Sequence, residues 1–255
     1  MSAAGDATAA LPVGYRRLAF DRVASTNDEA RRLAETGAGE FLVVTGEIQT
    51  AGRGRQGRAW VSPHGNLYVS FLLRPAVKPA QAGEFGFGVA VAVAESAEQL
   101  APGHDAKCKW PNDILVAGKK IAGILLESRG TPETLDWLIA GVGLNVAEAP
   151  EKTAWPATSL AALGSGALAE QALQVLAARI DAWYRQWRAS GFPALREAWL
   201  ARAHALGETL KIKRNGDERE GKFVGLDPSG ALVLELADAR RETISYGEIA
   251  IREQS

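Results

Sequence analysis

The chain has 255 residues, with 29 Lys plus Arg against 30 Asp plus Glu and a formal net charge of −1. It therefore lacks the positive excess that would let it coat a nucleic-acid backbone. One cysteine, Cys108, excludes an internal disulfide and a multi-cysteine metal site, and His64, His104 and His204 are too far apart for metal-ligand spacing.

The opening MSAAGDATAALPVGY has neither the basic start nor the apolar centre of a signal peptide, and its Ala-rich first ten residues read as loose. No apolar run is long enough to span a bilayer, so a cytoplasmic protein is expected. VASTNDEARRLAET opens a helix. Thr26 and Glu29 have capping-box spacing, and Asp28 and Glu29 sit where the helix dipole favours acids. EFLVVTGEI is a strand by its β-branched content. After the glycine–arginine stretch QTAGRGRQGRAW, residues 49–60, NLYVSFLLRP alternates like a second strand and stops at Pro75.

PAQAGEFGFGVAVAVAESAEQL reads as a long apolar helix that packs flat on a sheet. Three strand zones follow, AKCKW, DILVAGKKIAGILLES and LDWLIAGVGLNV, the middle one turning at Ala117-Gly118. LAEQALQVLAARIDAWYRQWRAS is a long amphipathic helix and FPALREAWLARAH a shorter one. From Leu206 the texture changes to alternating apolar and polar residues between turn signals at Asn215-Gly216 and Pro228-Ser229-Gly230. That pattern predicts a small antiparallel barrel of about five strands. The expected division is residues 1–205 and 206–255, in the α/β (α+β) class.

Four stretches could carry chemistry. The first contains Gly52, Gly54 and Gly57 in G-x-G-x-x-G spacing. A dinucleotide turn needs a helix after the glycines, and Pro63 and Gly65 forbid one here; a phosphate loop of the Walker type needs Lys-Ser/Thr after the last glycine, where Arg58-Ala59 stands. What remains is a backbone that can approach a ligand closely, with arginine forks suited to phosphate; a solvated turn with stray charges explains it equally well. In KWPNDI, Lys109, Asn112 and Asp113 gather a cation, an amide and a carboxylate, although an Asx-capped strand end is the plainer reading. GKKIAGILLE starts an apolar strand with two lysines, which on a hairpin are usually solubility devices. In GVGLNV the glycines thin a strand, and Asn145 among apolar neighbours needs a partner.

Taken together, STN at residues 25–27, GRGRQGR-W, KWPND, KKIAGIL and GVGLN resemble the biotin protein ligase family, and the resemblance runs from residue 25 to the C-terminal barrel. It implies a class II aminoacyl-tRNA-synthetase-like mixed sheet with helices and an SH3-like C-terminal barrel that helps bind ATP and the acceptor. It implies activation of biotin by ATP and Mg²⁺ to biotinyl-5′-AMP. Biotin then passes to a lysine of a biotin carboxyl carrier protein, the acetyl-CoA carboxylase subunit. No metal held by protein side chains is expected.

By resemblance, Ser25, Thr26 and Asn27 meet the ureido ring. Gln49, Arg53, Gly54, Arg55 and Gly123 line the biotin and phosphate region, under a loop that orders over them. Arg55 keeps the adenylate from escaping, and Lys120 binds the carboxylate/phosphate junction. Trp60, Asn112 and Asn145, with Arg53, Arg55 and Arg58, fall on the nucleotide side. Gln56 stands where many members carry a basic residue. Lys109 joins the arginines and Lys120 in offsetting the repulsion between two anions, and Asp113 is the candidate to help deprotonate the acceptor lysine.

Many members add an N-terminal winged helix-turn-helix. About two dozen residues precede STN, fewer than such a core needs, so the monofunctional type without nucleic-acid or membrane binding is expected. Homodimerisation through an edge strand is a further expectation. The alternatives are a lipoate–protein ligase, which shares the fold and adenylate chemistry but lacks the paired GRGR-W and KWPND, and a non-catalytic biotin-binding regulator.

Overall fold

A computed structural model describes residues 10–214 and 217–250. The first nine residues and the Asn215-Gly216 turn signal lie outside the described residues. The chain starts with a strand that hydrophobic patterning does not announce, β1 (Arg16–Val23): its sequence RRLAFDRV is half charged because it is an edge strand, only partly covered. Helix α1 (Thr26–Glu35) connects it to β2 (Leu42–Gln49), which pairs with it in parallel, Leu18 beside Val44. Then come β3 (Leu67–Leu73), α2 (Glu84–Leu100), β4 (Ala106–Lys109), β5 (Asp113–Val116), β6 (Lys119–Gly130) and β7 (Leu135–Leu144). Helices α3 (Ala169–Ser190) and α4 (Phe192–Ala201) close this part of the chain.

The strands form one mixed sheet in the order β1-β2-β3-β7-β6-β5-β4, antiparallel except for the first pair. Helix α1 covers one face, where Ala30 and Ala34 pack with Val44, Leu72, Trp137 and Ile139. Helices α2 and α3 cover the other, with Phe85 stacked on Trp187 at 5.4 Å. β3, expected from its alternation to be a strand, is covered on both sides, and all seven of its residues are buried. The helix start is corrected by one residue. Ser25, not Thr26, is the N-cap, with extended backbone (φ −155°) and a side chain that accepts from Asp28 N. The Thr26 hydroxyl is spent elsewhere, on Gln49.

Beyond α4, β8 (Thr209–Arg214), β9 (Asp217–Leu226), β10 (Leu232–Glu235), β11 (Arg241–Ile244) and β12 (Glu248–Ile249) make a five-stranded antiparallel sheet, order β11-β10-β9-β8-β12. Its apolar face is continuous with the main core: Phe223 meets Trp199 at 6.5 Å, and the Trp110 indole donates to Gly230 O at 3.4 Å. The two parts are thus packed together, which holds β12 against the mouth of the cavity described next. Among the described residues no helix is long and apolar enough to cross a membrane.

Candidate active site

One cavity of about 750 Å³ opens above the glycine-thinned centre of β6 and β7. Gly123, Gly141 and Gly143 lie in its floor, and each is required by what rests on it. A Cβ on Gly143 would sit 2.5 Å from the Trp60 indole, one on Gly123 2.8 Å from the same ring, and one on Gly141 would collide with the Asn27 amide. The glycines of GVGLN therefore make room for side chains of the site itself.

Every site residue read from the sequence lines this cavity: Ser25, Thr26 and Asn27 from the start of α1; Gln49, Arg53, Gly54, Arg55, Arg58 and Trp60 from the glycine–arginine stretch; Lys109, Asn112 and Asp113 around the β4–β5 turn; Lys120 and Gly123 on β6; and Asn145 after β7. No helix follows the glycines, as Pro63 and Gly65 require. The stretch instead folds back on itself, Arg53 bridging Ala59, with Gly54 N donating to Arg58 O at 2.6 Å and Trp60 N to Gly52 O at 2.9 Å. Gln56 takes a left-handed backbone at its tip, φ 55°. Asp113 opens strand β5, paired with Lys109, and is not a turn residue.

One end of the cavity is a closed hydrogen-bond network. Gln49 Oε1 accepts from Thr26 N at 2.9 Å and from the Thr26 hydroxyl at 3.2 Å, and Gln49 Nε2 donates to Ser62 Oγ at 3.1 Å. Ser70 Oγ donates to Asn27 Oδ1 at 2.6 Å, and Asn27 Nδ2 donates to Glu127 Oε2 at 2.8 Å and Leu125 O at 3.3 Å. Arg53 reaches Asp28 at 2.6 Å and Glu127 at 3.2 Å. Burial works against the Arg53 charge, but these two carboxylates outweigh it and hold its pKa up.

The other end is cation-rich. Lys109 and Lys120 share one carboxylate, Asp113, at 3.4 and 2.6 Å. Lys109 is 6% exposed and lies 4.5 Å above the Trp155 ring. Burial, helped by the nearby Lys120, pushes its pKa down against the pull of Asp113. Arg55 is likewise desolvated, its pKa lowered by burial, and reaches Asn112 Oδ1 at 3.4 Å. Arg58 forks onto Glu248 of β12. Lys120 Nζ lies 5.2 Å from the Trp60 ring, so Trp60 forms the seam between the two ends. The Trp60 indole N–H is buried without a hydrogen-bond partner among the described residues. Asn145 finds the partner its burial demands: its Nδ2 donates to Thr158 O at 3.0 Å, which pins the covering segment 146–160.

Sequence reasoning missed that covering segment, including Lys152 and Trp155, and also Glu127, Lys213, Glu248 and Ile249. Glu127 carried a faint signal as the acid ending the apolar run of KKIAGILLE. The others carry none in their local sequence. Among the described residues, no group of three or more His, Cys, Asp or Glu is placed to hold a metal ion. A lone Asp113 beside lysines suits Mg²⁺ that arrives on nucleotide phosphates, because that ion is usually held by one or two carboxylates plus the phosphates themselves.

Residues 19–145 match the model of the Biotin/lipoate A/B protein ligase family, and residues 205–252 that of the Biotin protein ligase C terminal domain. The Biotin--[acetyl-CoA-carboxylase] ligase of Paracoccus denitrificans is 40% identical over 236 residues, spanning 89% of this chain and 97% of its own length. The Bifunctional ligase/repressor BirA of Escherichia coli is 30% identical, spanning 97% of this chain and 75% of its own. Among solved structures, the biotin protein ligase from Aquifex aeolicus in complex with biotin and ATP superposes with a TM-score of 0.78 at 29% identity, covering 94% of this chain and 99% of that one.

Proposed function

The chain belongs to the biotin protein ligase family, and from that premise we propose that the two-ended cavity joins biotin to ATP and hands the product to a carrier protein. It is an ATP-dependent ligase. It activates biotin as biotinyl-5′-AMP and transfers the biotinyl group to an acceptor protein. The observation that carries this reading is the juxtaposition within one cavity of a satisfied, dipolar end and an end where Lys109, Lys120, Arg55 and Arg58 face only Asp113 and Glu248 among the carboxylates lining it.

A biotin carboxylate must attack the α-phosphorus of ATP, and both groups are anionic. Lys109, Lys120, Arg55 and Arg58 offset the repulsion and stabilise the charge that builds on the phosphoryl oxygens. Mg²⁺ arriving with the nucleotide would supply further charge neutralisation, and Asp113 is the carboxylate that would help hold it. Pyrophosphate leaves. Ser25, Thr26, Asn27, Gln49, Arg53, Gly54 and Gly123 hold the biotin moiety, and Trp60, Asn112 and Asn145 the nucleotide side. The folded glycine–arginine hairpin excludes water from the mixed anhydride. An acceptor lysine then attacks, and Asp113 assists its deprotonation. Arg55 retains the adenylate: Arg55→Gly should release it and label lysines of a bystander protein such as albumin, and unchanged fidelity for one acceptor would remove that role.

The acceptor we assign is the biotin carboxyl carrier protein of acetyl-CoA carboxylase, in the cytoplasm, without nucleic acid. Residues 1–205 form the catalytic unit and 206–255 an SH3-like barrel, and β1, whose outer side pairs with no strand among the described residues, is the edge through which two copies would pair. The deciding assay is pyrophosphate release from ATP, Mg²⁺ and biotin, followed by transfer to a carrier domain. Turnover with lipoate in place of biotin would favour the lipoate ligase reading, and binding without turnover the regulator.

A further inference from the structure

Glu127 touches both partners of a connection that the reaction scheme leaves unexplained. Its side chain is 20% exposed, near the end of the stretch of β6 that lines the cavity. Oε2 accepts from Asn27 Nδ2 at 2.8 Å, while Oε1 receives Arg53 Nη2 at 3.2 Å and Arg31 Nη1 at 3.5 Å. The one carboxylate thus serves both the start of α1, through Asn27 and Arg31, and the root of the glycine–arginine hairpin, through Arg53.

The consequence for Asn27 is orientational. Its Nδ2 faces two acceptors, Glu127 and Leu125 O, and its Oδ1 receives the Ser70 hydroxyl. That network fixes which way the amide points. It leaves the second lone pair of Oδ1 as the acceptor for a ligand N–H, which is what a cyclic urea presents. The consequence for Arg53 is positional. Asp28 and Glu127 hold the guanidinium from two sides, so the hairpin that begins at Arg53 is tethered beside Asn27.

We propose that Glu127 is a positioning residue that couples the two: the carboxylate that orients the Asn27 amide toward the ureido ring also anchors the hairpin through Arg53, so biotin binding and hairpin closure reinforce one another. The proposal rests on the biotin reading above. A glutamine cannot replace the carboxylate here, because its amide NH₂ would face either the guanidinium or the Asn27 donor.

Calorimetric titration of the full chain with biotin tests this on wild type, Glu127→Gln, Arg53→Met and the double variant, with the dissociation rate of bound biotinyl-AMP measured alongside. Glu127→Gln is isosteric, and a thermal melt checks that it folds. The coupling predicts that Glu127→Gln weakens biotin about tenfold and Arg53→Met about fivefold, that each speeds adenylate release, and that the double variant loses clearly less than the product of the two single losses. Glu127→Asp should restore part of the affinity. Losses that multiply in the double variant, or a Glu127→Gln protein that binds biotin and holds its adenylate like wild type, would overturn the coupling. A wild-type chain that fails to bind biotin at all would overturn the functional reading itself.

Discussion

The two ends of the cavity are built on opposite principles. At the Asn27 end the charges are matched, Arg31 and Arg53 against Asp28 and Glu127, and the polar side chains point at one another. At the Lys109 end, Lys109, Lys120, Arg55 and Arg58 face two carboxylates, Lys152 and Lys213 add further positive charge to the lining, and Lys109 and Arg55 are desolvated enough for burial to lower their pKa. The first arrangement suits a neutral polar ring, which is recognised by dipoles fixed in advance. The second is poorly satisfied alone and suits a multiply charged anion, whose arrival supplies the missing negative charge. A reaction that joins two anions needs the second kind of site, and specificity for one vitamin needs the first.

Three substitutions probe this contrast. Lys120→Ala removes a cation from the join between the ends and should slow adenylate formation about 10²- to 10³-fold in single-turnover pyrophosphate release, while the affinity for an uncharged biotin amide stays within about twofold. If both fall together, Lys120 belongs to the recognition end instead. Gly143→Ala forces a methyl into the Trp60 indole, which lies 2.5 Å from the position a Cβ would take. Because Trp60 is the seam, this overpacking, costing about 1–3 kcal/mol, should weaken both biotin and ATP in titration. Loss confined to one ligand would separate Trp60 from the other end.

The smallest effect concerns pH. Burial lowers the Lys109 pKa, Lys120 lowers it further, and Asp113 and Glu248 oppose them. The charged form is therefore lost at a lower pH than for an ordinary lysine. Adenylation should fall on the alkaline side with an inflection below the ordinary lysine value of about 10.4. Lys109→Arg, which stays protonated, should move that limb upward. An alkaline limb that ignores the substitution would show that another group sets it.

Much of the chain was legible because its signals are local. The apolar runs of β2 and β5 to β7, the periodicity of α3, and the alternating stretches that become β8 to β12 all survive in the structure. Where local pattern departs from the structure, the causes are tertiary. β1 is charged because it is an edge. β3 alternates in sequence yet is covered on both faces. Thr26 looked like a cap because its partner, Gln49, lies 23 residues away. The motif-borne site residues were visible for the same local reason, whereas Trp155, Glu248 and Lys213 reach the cavity only through the path of the covering segment and the packing of the second sheet.

The contrast between the ends is tested most directly by salt. Titrations of the wild-type chain with Mg-ATP and, separately, with an uncharged biotin amide should be run at about 0.05 and about 0.5 M KCl, across which the screening length shrinks from about 14 to about 4 Å. ATP affinity should fall by tenfold or more while the biotin amide changes by less than about twofold. Equal losses for the two ligands, or an ATP affinity indifferent to salt, would contradict the contrast.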